Sequence, residues 1–576
     1  MSSMIKVENL SKVYEINDNE VVALKDISFN ARKGEILGFV GRSGGGKSTL
    51  LKIIRGMEKP DSGRIIMDGL TVTPDSGDEV AAEQMELTAI HLQRDFALWT
   101  ESALRNVLRR VYSRTTGFEI LPDPELVPDY QEMYNEAMYY LKLVGLDKKA
   151  THLATILSGG EKQRLIIARQ LAKKPKILLL DEPATMACPA TKQEVLDAIK
   201  NIREALGITI LVVSHLPEIH RYLVDRLIWL DKGQIVSEGM PDEILRLFLS
   251  GMRSQVPLTP RSHSAPMMKV EGISKRCYLV GTGEVLNVEN LSFNLKEGEI
   301  TSIIGSSGAG KTTLLKMVEG LKAPDEGSIL YKLGKEWVDI TTYSPQRMEI
   351  RRSMAIMYQE FALSFNETIL DQIAYQLGVK GQHVIEYARE VSKELGISDK
   401  VLDILYTMTD MQEEEAKLAL EALGLTREVL FDLFPRFPTT EAMKFAGPVF
   451  KRMDLDEGVL WKLPEQLSGG EKVRASIAIL LAANPRILML DEPFGDIDPI
   501  TLRDVSNAIK KINSEYGTTI VIVSHHVDFV REVSHRAILI ENGAIAADGD
   551  PNEVCDAFLD RCGAAYLCYP TDGILT

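Results

Sequence analysis

Two kinds of apolar pattern alternate along this chain. Short unbroken apolar runs, Ile36–Val40, Ile177–Leu180 and Thr209–Val213, suit strands buried on both faces of a parallel sheet. Met4–Glu8, Val22–Phe29 and Arg64–Met67, separated by Gly and Asp turn signals, read as further strands. The stretch of about 100–155 is rich in Leu, Tyr and Glu and is expected to be mostly helical. Strands that alternate with helices in this way predict an α/β core.

The pattern occurs twice, and each copy is anchored on a glycine-rich loop. Gly41-Arg42-Ser43-Gly44-Gly45-Gly46-Lys47-Ser48 follows the first such run, and Gly305-Ser306-Ser307-Gly308-Ala309-Gly310-Lys311-Thr312 follows Glu299–Ile304. Each opens a helical pattern, with Thr49 and Thr313 next in line. Both fit the spacing of a phosphate-binding loop. Glycines let backbone N–H groups approach an anion, and the helix N-terminus offers its dipole to the same phosphates. Lys47 and Lys311 are placed to reach the β- and γ-phosphates, and Ser48 and Thr312 to hold Mg²⁺.

Further paired segments follow in the same order. Ile177–Leu180 runs into Asp181-Glu182-Pro183, and Ile487–Leu490 into Asp491-Glu492-Pro493. The first carboxylate of each pair suits Mg²⁺ and the second suits polarising a water. Leu157-Ser158-Gly159-Gly160-Glu161 and Leu467-Ser468-Gly469-Gly470-Glu471 each open a helix behind a Ser of N-cap type. The offset between halves is 264 residues at the phosphate loops, 266 at Gln93/Gln359, and 310 at Leu157/Leu467, Asp181/Asp491 and His215/His525. About 44 extra residues therefore sit between Gln359 and Leu467. The organisation expected is a first domain over 1–249, a Pro-containing linker over 250–267, and a second domain over 268–554. The second domain carries an enlarged helical region at about 375–455, and a Cys-containing extension follows over 555–576. The enlarged region, acidic at Glu413-Glu414-Glu415, is either a solvated elaboration or a surface for docking a partner.

Composition narrows the setting. The formal net charge of −16 over 576 residues disfavours a nucleic-acid partner. No run of 18 apolar residues and no signal-peptide core is present, so a cytoplasmic protein without membrane insertion is expected. Five cysteines without a C-x-x-C pair argue against a disulfide framework.

The L-S-G-G-E segments, with the phosphate loops and Asp-Glu turns, resemble the ATP-binding cassette (ABC) family twice over nearly the whole chain. The resemblance implies two tandem domains. Each would have a RecA-like parallel-sheet core, an antiparallel β subdomain and a helical subdomain. It implies ATP hydrolysis with ATP and Mg²⁺, general-base roles for Glu182 and Glu492, and γ-phosphate contacts from His215 and His525. Gln93 and Gln359 resemble the glutamines that touch Mg²⁺, and Tyr14 the aromatic that stacks on adenine. Cys277 takes the aligned place in the second half, with Tyr278 one residue on. Ser158, Gly159 and Gly160 would face the second phosphate loop, and Ser468, Gly469 and Gly470 the first, in a head-to-tail intramolecular pair. One departure is Cys188, where the family and the second half (Asp498) carry Asp.

The ribosome-acting relatives with a long interdomain arm or an N-terminal cysteine cluster do not fit this short linker and acidic charge. Asp181–Pro189, Gln359-Glu360-Phe361-Ala362-Leu363 and the enlarged helical region resemble the component A2 family of the methyl-coenzyme M reductase activation system. That resemblance implies ATP-driven remodelling of a partner during reductive activation of nickel F430, alongside iron–sulfur proteins. The alternative is a fused ATP-binding subunit of an ABC importer, working with separate membrane subunits. Phe96, Leu98 and Trp99 in one half, and Phe361, Leu363 and Phe365 in the other, are apolar enough for either partner.

Overall fold

The computed structural model describes every residue except 1–2, 17–18, 93–97, 185–187, 262–263, 280–282, 307, 359–362, 412, 494–496 and 569–576. The chain divides into two compact units. One comprises Met1–Met252 with Asp498–Ile500 and Cys562–Thr576, and the other Arg253–Ile497 with Thr501–Arg561.

In the first unit, the strands Gln234–Gly239, Arg226–Asp231, Ile36–Val40, Thr209–Val213, Ile177–Asp181 and Thr88–His91 lie side by side in that order. All pairings are parallel except the edge strand Gln234–Gly239. The central runs are buried at all five positions, which is why they read as continuous apolar stretches and not as alternating ones. Their side chains still divide by face. Ile36, Val40, Leu178, Leu180, Ile210 and Val212 join a core with the helices Ala103–Thr116, Gly159–Leu171 and Pro189–Leu206. Leu37, Phe39, Leu179, Leu211 and Val213 pack with the phosphate-loop helix Lys47–Arg55 and the second sheet. Each such buried side chain contributes about 1.5–3 kcal/mol.

That second sheet is antiparallel, in the order Asn19–Arg32, Ser3–Ile16, Ser62–Met67, Leu70–Val72. Its two long strands extend well beyond Met4–Glu8 and Val22–Phe29, because their outer ends alternate polar and half-buried residues and carry a weak apolar signal. The region 100–155 is less helical than its composition predicts. The helix from Ala103 stops at Gly117, which is left-handed (φ 74°), and Pro122, Pro124 and Pro128 keep the chain irregular until Tyr130–Leu143.

The second unit repeats both sheets, with the orders Gly283–Lys296, Pro266–Leu279, Glu326–Leu333, Glu336–Asp339 and Met354–Met357, Ile487–Asp491, Thr519–Val523, Ile300–Ile304, Arg536–Glu541, Ala544–Gly549. Its helical region is larger, running through Ile369–Lys380, Val384–Glu394, Asp399–Met408, Glu413–Ala422, Glu428–Leu433 and Thr439–Arg452. Ile385, Leu402, Leu405, Tyr406, Leu420 and Phe434 form a core of their own there. The linker lies along the second unit. Val256 N–H donates to Asn507 Oδ1 at 2.8 Å, and the Thr259 carbonyl lies 2.8 Å from His535 Nε2.

Residues 555–562 belong to the helix Pro551–Cys562, and the Cys555 thiol there is buried and pushed up to about 11 by that burial. Beyond it, Ala564 and Tyr566 enter the core of the first unit, and Tyr566 N–H donates to Gln193 Oε1 at 2.9 Å. Tyr566 is 1% exposed. Tyr566→Ala is expected to cost about 3–5 kcal/mol. Denaturant unfolding of the intact chain reads this directly, and an unchanged midpoint would show that the segment is not part of that core.

Candidate functional site

Both phosphate loops are shaped by contacts that leave no room for side chains. A Cβ on Gly41 would lie 2.0 Å from the Leu230 carbonyl oxygen, and on Gly305 2.2 Å from that of Ile540. Gly46 and Gly310 are left-handed (φ 95° in both) and turn the chain into the helices Lys47–Arg55 and Lys311–Val318. Lys47 Nζ donates to the Gly41 and Arg42 carbonyls at 2.7 and 2.9 Å, and Lys311 Nζ to those of Gly305 and Ser306 at 3.0 and 2.9 Å. Burial lowers the pKa of the Lys47 ammonium, while Glu182 and Asp181 act to keep it charged. Ser43, Gly44, Ser48, Gly308 and Thr312 are exposed, and Thr49 and Thr313 are half-buried.

At the ends of the buried strands sit the paired carboxylates. Burial raises the pKa of Asp181 and pushes that of Asp491 up to about 6. Both Asp491 oxygens are buried without a hydrogen-bond partner, and the Thr312 hydroxyl lies near them short of hydrogen-bond geometry. A buried, unpartnered carboxylate beside a hydroxyl suits a hard divalent cation such as Mg²⁺. Glu182 and Glu492 follow in the left-handed backbone region (φ 51° and 46°), a strain of about 1–3 kcal/mol each. Their N–H groups are tied to the Val213 and Val523 carbonyls, both at 2.9 Å.

Each of these glutamates meets its histidine. His215 Nδ1 lies 2.7 Å from Glu182 Oε1, and His525 Nδ1 2.8 Å from Glu492 Oε2. Burial works to raise both glutamates, but the facing histidine, the phosphate-loop lysine and the hydrogen bonds to each carboxylate together hold it below the usual carboxylate range. In the first unit the Ser214 hydroxyl also donates to Glu182 Oε2 at 3.1 Å. Behind it, His220 is fully buried with Nε2 2.8 Å from the Ser214 carbonyl. Sequence reasoning missed His220, since nothing around it in the chain marks it as more than a helix residue.

Ser158 and Ser468 cap the helices Gly159–Leu171 and Gly469–Leu481 in full capping boxes with Glu161 and Glu471. A Cβ on Gly160 would sit 1.8 Å from Thr191 Cγ2, whereas Gly159 has nothing within 4 Å and is open. Gly470 repeats the clash at 2.4 Å from Thr501 Cγ2. Tyr14 lies on the strand Ser3–Ile16, hydrogen-bonded to Glu58, with Lys12 Nζ 5.6 Å from its ring centroid. The Lys12–Asp61 ion pair recurs as Lys275–Asp325, which puts Cys277 in the place of Tyr14. Cys188 precedes the helix Pro189–Leu206 without capping it, its sulfur 3.2 Å from Thr191 Oγ1. Asp498 accepts from the Ile500 N–H at 3.1 Å. Gln93, Phe96, Ser307, Gln359 and Phe361 lie outside the described residues. Trp99 and Phe365 are 45% and 77% exposed, whereas Leu98 and Leu363 are packed inside.

The ABC transporter family profile matches residues 24–185 and 288–495. An uncharacterized ABC transporter ATP-binding protein of Methanocaldococcus jannaschii is 46% identical over 98% of both chains. The methionine import ATP-binding protein MetN of Haemophilus influenzae is 36% identical over 42% of this chain and 66% of its own length. The structure of an archaeal ribosome recycling factor bound to a ribosomal stalk protein covers 96% of this chain at a TM-score of 0.57 and 20% identity, a likeness of fold. This chain belongs to the ABC transporter ATPase family. It is an ATP-hydrolysing enzyme of that type, built from two tandem RecA-like domains. Among the described residues no helix is long and apolar enough to cross a membrane.

Burial lowers the pKa of His220 to about 4. A histidine whose folded pKa is depressed gives stability that is present above its unfolded pKa near 6.5 and lost as pH falls toward 4. Between pH 7 and 4 this amounts to about 3 kcal/mol. The pH dependence of unfolding should flatten by that amount in His220→Gln, and parallel profiles would contradict the assignment.

Proposed function

We propose that each half binds and hydrolyses ATP with Glu182 and Glu492 as general bases and His215 and His525 at the γ-phosphate. The observation that carries this is the Glu–His pair set in each half at the end of a buried strand. A glutamate held ionised in this place can polarise an attacking water. Lys47 and Lys311, with Gly41, Ser43, Gly44, Gly46 and Thr49 and with Gly305, Ser307, Gly308, Gly310 and Thr313, would hold the phosphates. Tyr14 would stack on adenine. Ser48, Asp181 and Gln93, and Thr312, Asp491 and Gln359, would hold Mg²⁺, which when bound neutralises phosphate charge. The segments Ser158–Gly160 and Ser468–Gly470 would offer their helix N-termini to phosphate, with Gly159 open and Gly469 lying 4.0 Å from Ile497 Cγ2.

The work done by this ATPase is the drive of a partner complex. The reading favoured here is a fused ATP-binding subunit acting with separate membrane subunits. The near-full-length relative is named as a transporter ATP-binding protein, and the half-length one as an import protein. Exposed Trp99 and Phe365 offer apolar contacts to such subunits. Activation of methyl-coenzyme M reductase with iron–sulfur proteins is the narrower rival, resting on the resemblance of Asp181–Pro189, Gln359-Glu360-Phe361-Ala362-Leu363 and the enlarged helical region. Affinity capture from native cells with and without ATP separates them: polytopic membrane subunits support the first, and soluble reductase subunits overturn it.

Glu182→Gln and Glu492→Gln should each abolish turnover at one site, a loss there of about 100-fold or more, while ATP binding persists. Wild-type turnover in both variants would sink the assignment.

A further inference from the structure

The second unit ties Glu319, Tyr358 and Asp410 into a buried network that the matching described residues of the first unit do not repeat. Glu319 ends the phosphate-loop helix Lys311–Val318 and is 1% exposed. Its Oε2 accepts from the Tyr358 hydroxyl at 3.1 Å, and its Oε1 is buried without a partner. The same hydroxyl lies 3.3 Å from the Asp410 carbonyl. Asp410 Oδ2 accepts from Lys380 Nζ at 2.7 Å and from Arg351 Nη2 at 3.3 Å. Lys380 Nζ also donates to the Arg351 carbonyl at 3.0 Å, and Arg351 Nη1 bonds Thr407 Oγ1.

These residues come from four places: the end of the phosphate-loop helix, the residue after the strand Met354–Met357, the helix Arg347–Arg352 and the enlarged helical region. The acidic run adds a second tie, since Glu415 pairs with Lys316 of the phosphate-loop helix at 2.9 Å. In the first unit Arg55 occupies the place of Glu319 and Leu92 that of Tyr358. Arg55 bonds the Met85 carbonyl and Thr88 Oγ1, and its charge acts on Arg110 and Lys173, a cationic cluster in place of the Glu319–Tyr358 pair.

We propose that Tyr358 and Glu319 are positioning residues of the second ATP site, linking its phosphate-loop helix to the enlarged helical region through Asp410. Motion in that region then changes turnover at the second site and not at the first. A buried polar network of this kind has few alternative arrangements, because any unpaired member costs dearly in a low-dielectric interior. A rearranged helical region must therefore carry Tyr358 and Glu319 with it.

The network also titrates. Glu319 is pushed up to about 8 by burial first and by Asp410 second, while Arg351, Lys380 and the Tyr358 hydroxyl work the other way. Burial, Glu319 and Asp410 all keep the Tyr358 hydroxyl protonated, so it remains a donor. Lys316 Nζ lies 5.7 Å from the Tyr358 ring centroid, and Glu415 also acts on the Tyr358 hydroxyl to keep it protonated. Above pH 8 the ionised Glu319 takes a charge-assisted bond from Tyr358, which tightens the link.

The inference rests on the assignment of the second ATP site, so ATP binding to each full-length variant is measured first. Absence of ATP binding at the second site would overturn that assignment, whereas the outcomes below test the link itself. In a Glu182→Gln chain, where only the second site turns over, kcat should rise with an inflection near pH 8. Glu319→Gln should remove the inflection. Tyr358→Phe should lower kcat by about 3- to 10-fold, the size of one lost hydrogen bond, with the KM for ATP unchanged. In a Glu492→Gln chain neither change should alter turnover. ATP should slow amide exchange across 399–411 in the wild type and not in Tyr358→Phe. If Tyr358→Phe fails to fold, Glu319→Gln carries the test through its pH profile. An unchanged profile, or equal losses at both sites, would overturn the proposal.

Discussion

The structure depends on one crowded arrangement of charge, a phosphate-loop lysine beside two carboxylates at the edge of a buried sheet. Lys47 with Asp181 and Glu182, and Lys311 with Asp491 and Glu492, sit where strands buried at every position end. Charges in such a place interact strongly because little water screens them. The lysine caps the loop carbonyls, the histidine helps keep the glutamate ionised, and both oxygens of Asp491 are left without a hydrogen-bond partner. The sheet, the flanking helices and the strained glutamate backbone all bring these groups close together. That is the condition for acting on a phosphate without reorganising first.

The same architecture built twice has not stayed the same. The first half has His220 behind Ser214, Cys188 at the turn before its helix, and Tyr14 on its outer sheet. The second half has Asp498, Cys277 and the Glu319–Tyr358–Asp410 network with its larger helical region. The chemistry-bearing residues match across the halves, and the differences fall in what surrounds them.

Much of this was legible in the chain, for identifiable reasons. Gly41 and Gly46, Lys47, the Asp-Glu pairs and the capped Ser-Gly-Gly turns are local devices, each confined to a few adjacent residues. The buried parallel strands were legible because burial on both faces writes an unbroken apolar run. The outer sheet was only half legible, as its long strands alternate and turn polar toward their ends. The helical stretch after Trp99 was overestimated where Gly117 and three prolines interrupt it. Contacts between distant positions left no local mark. Tyr566 meets Gln193 across 373 residues, and Tyr358 meets Asp410 across 52. The left-handed backbone at Glu182 and Glu492 is likewise a product of the fold and not of residue type.

The central claim is that one chain carries two ATP sites of matching chemistry. The most direct test is the ATP stoichiometry of the Glu182→Gln, Glu492→Gln double variant with Mg²⁺, measured by equilibrium dialysis. The account predicts two ATP per chain, falling to one when either Lys47 or Lys311 is also replaced by Ala. A single ATP per chain in the double variant, or no loss on replacing one of the lysines, would contradict it.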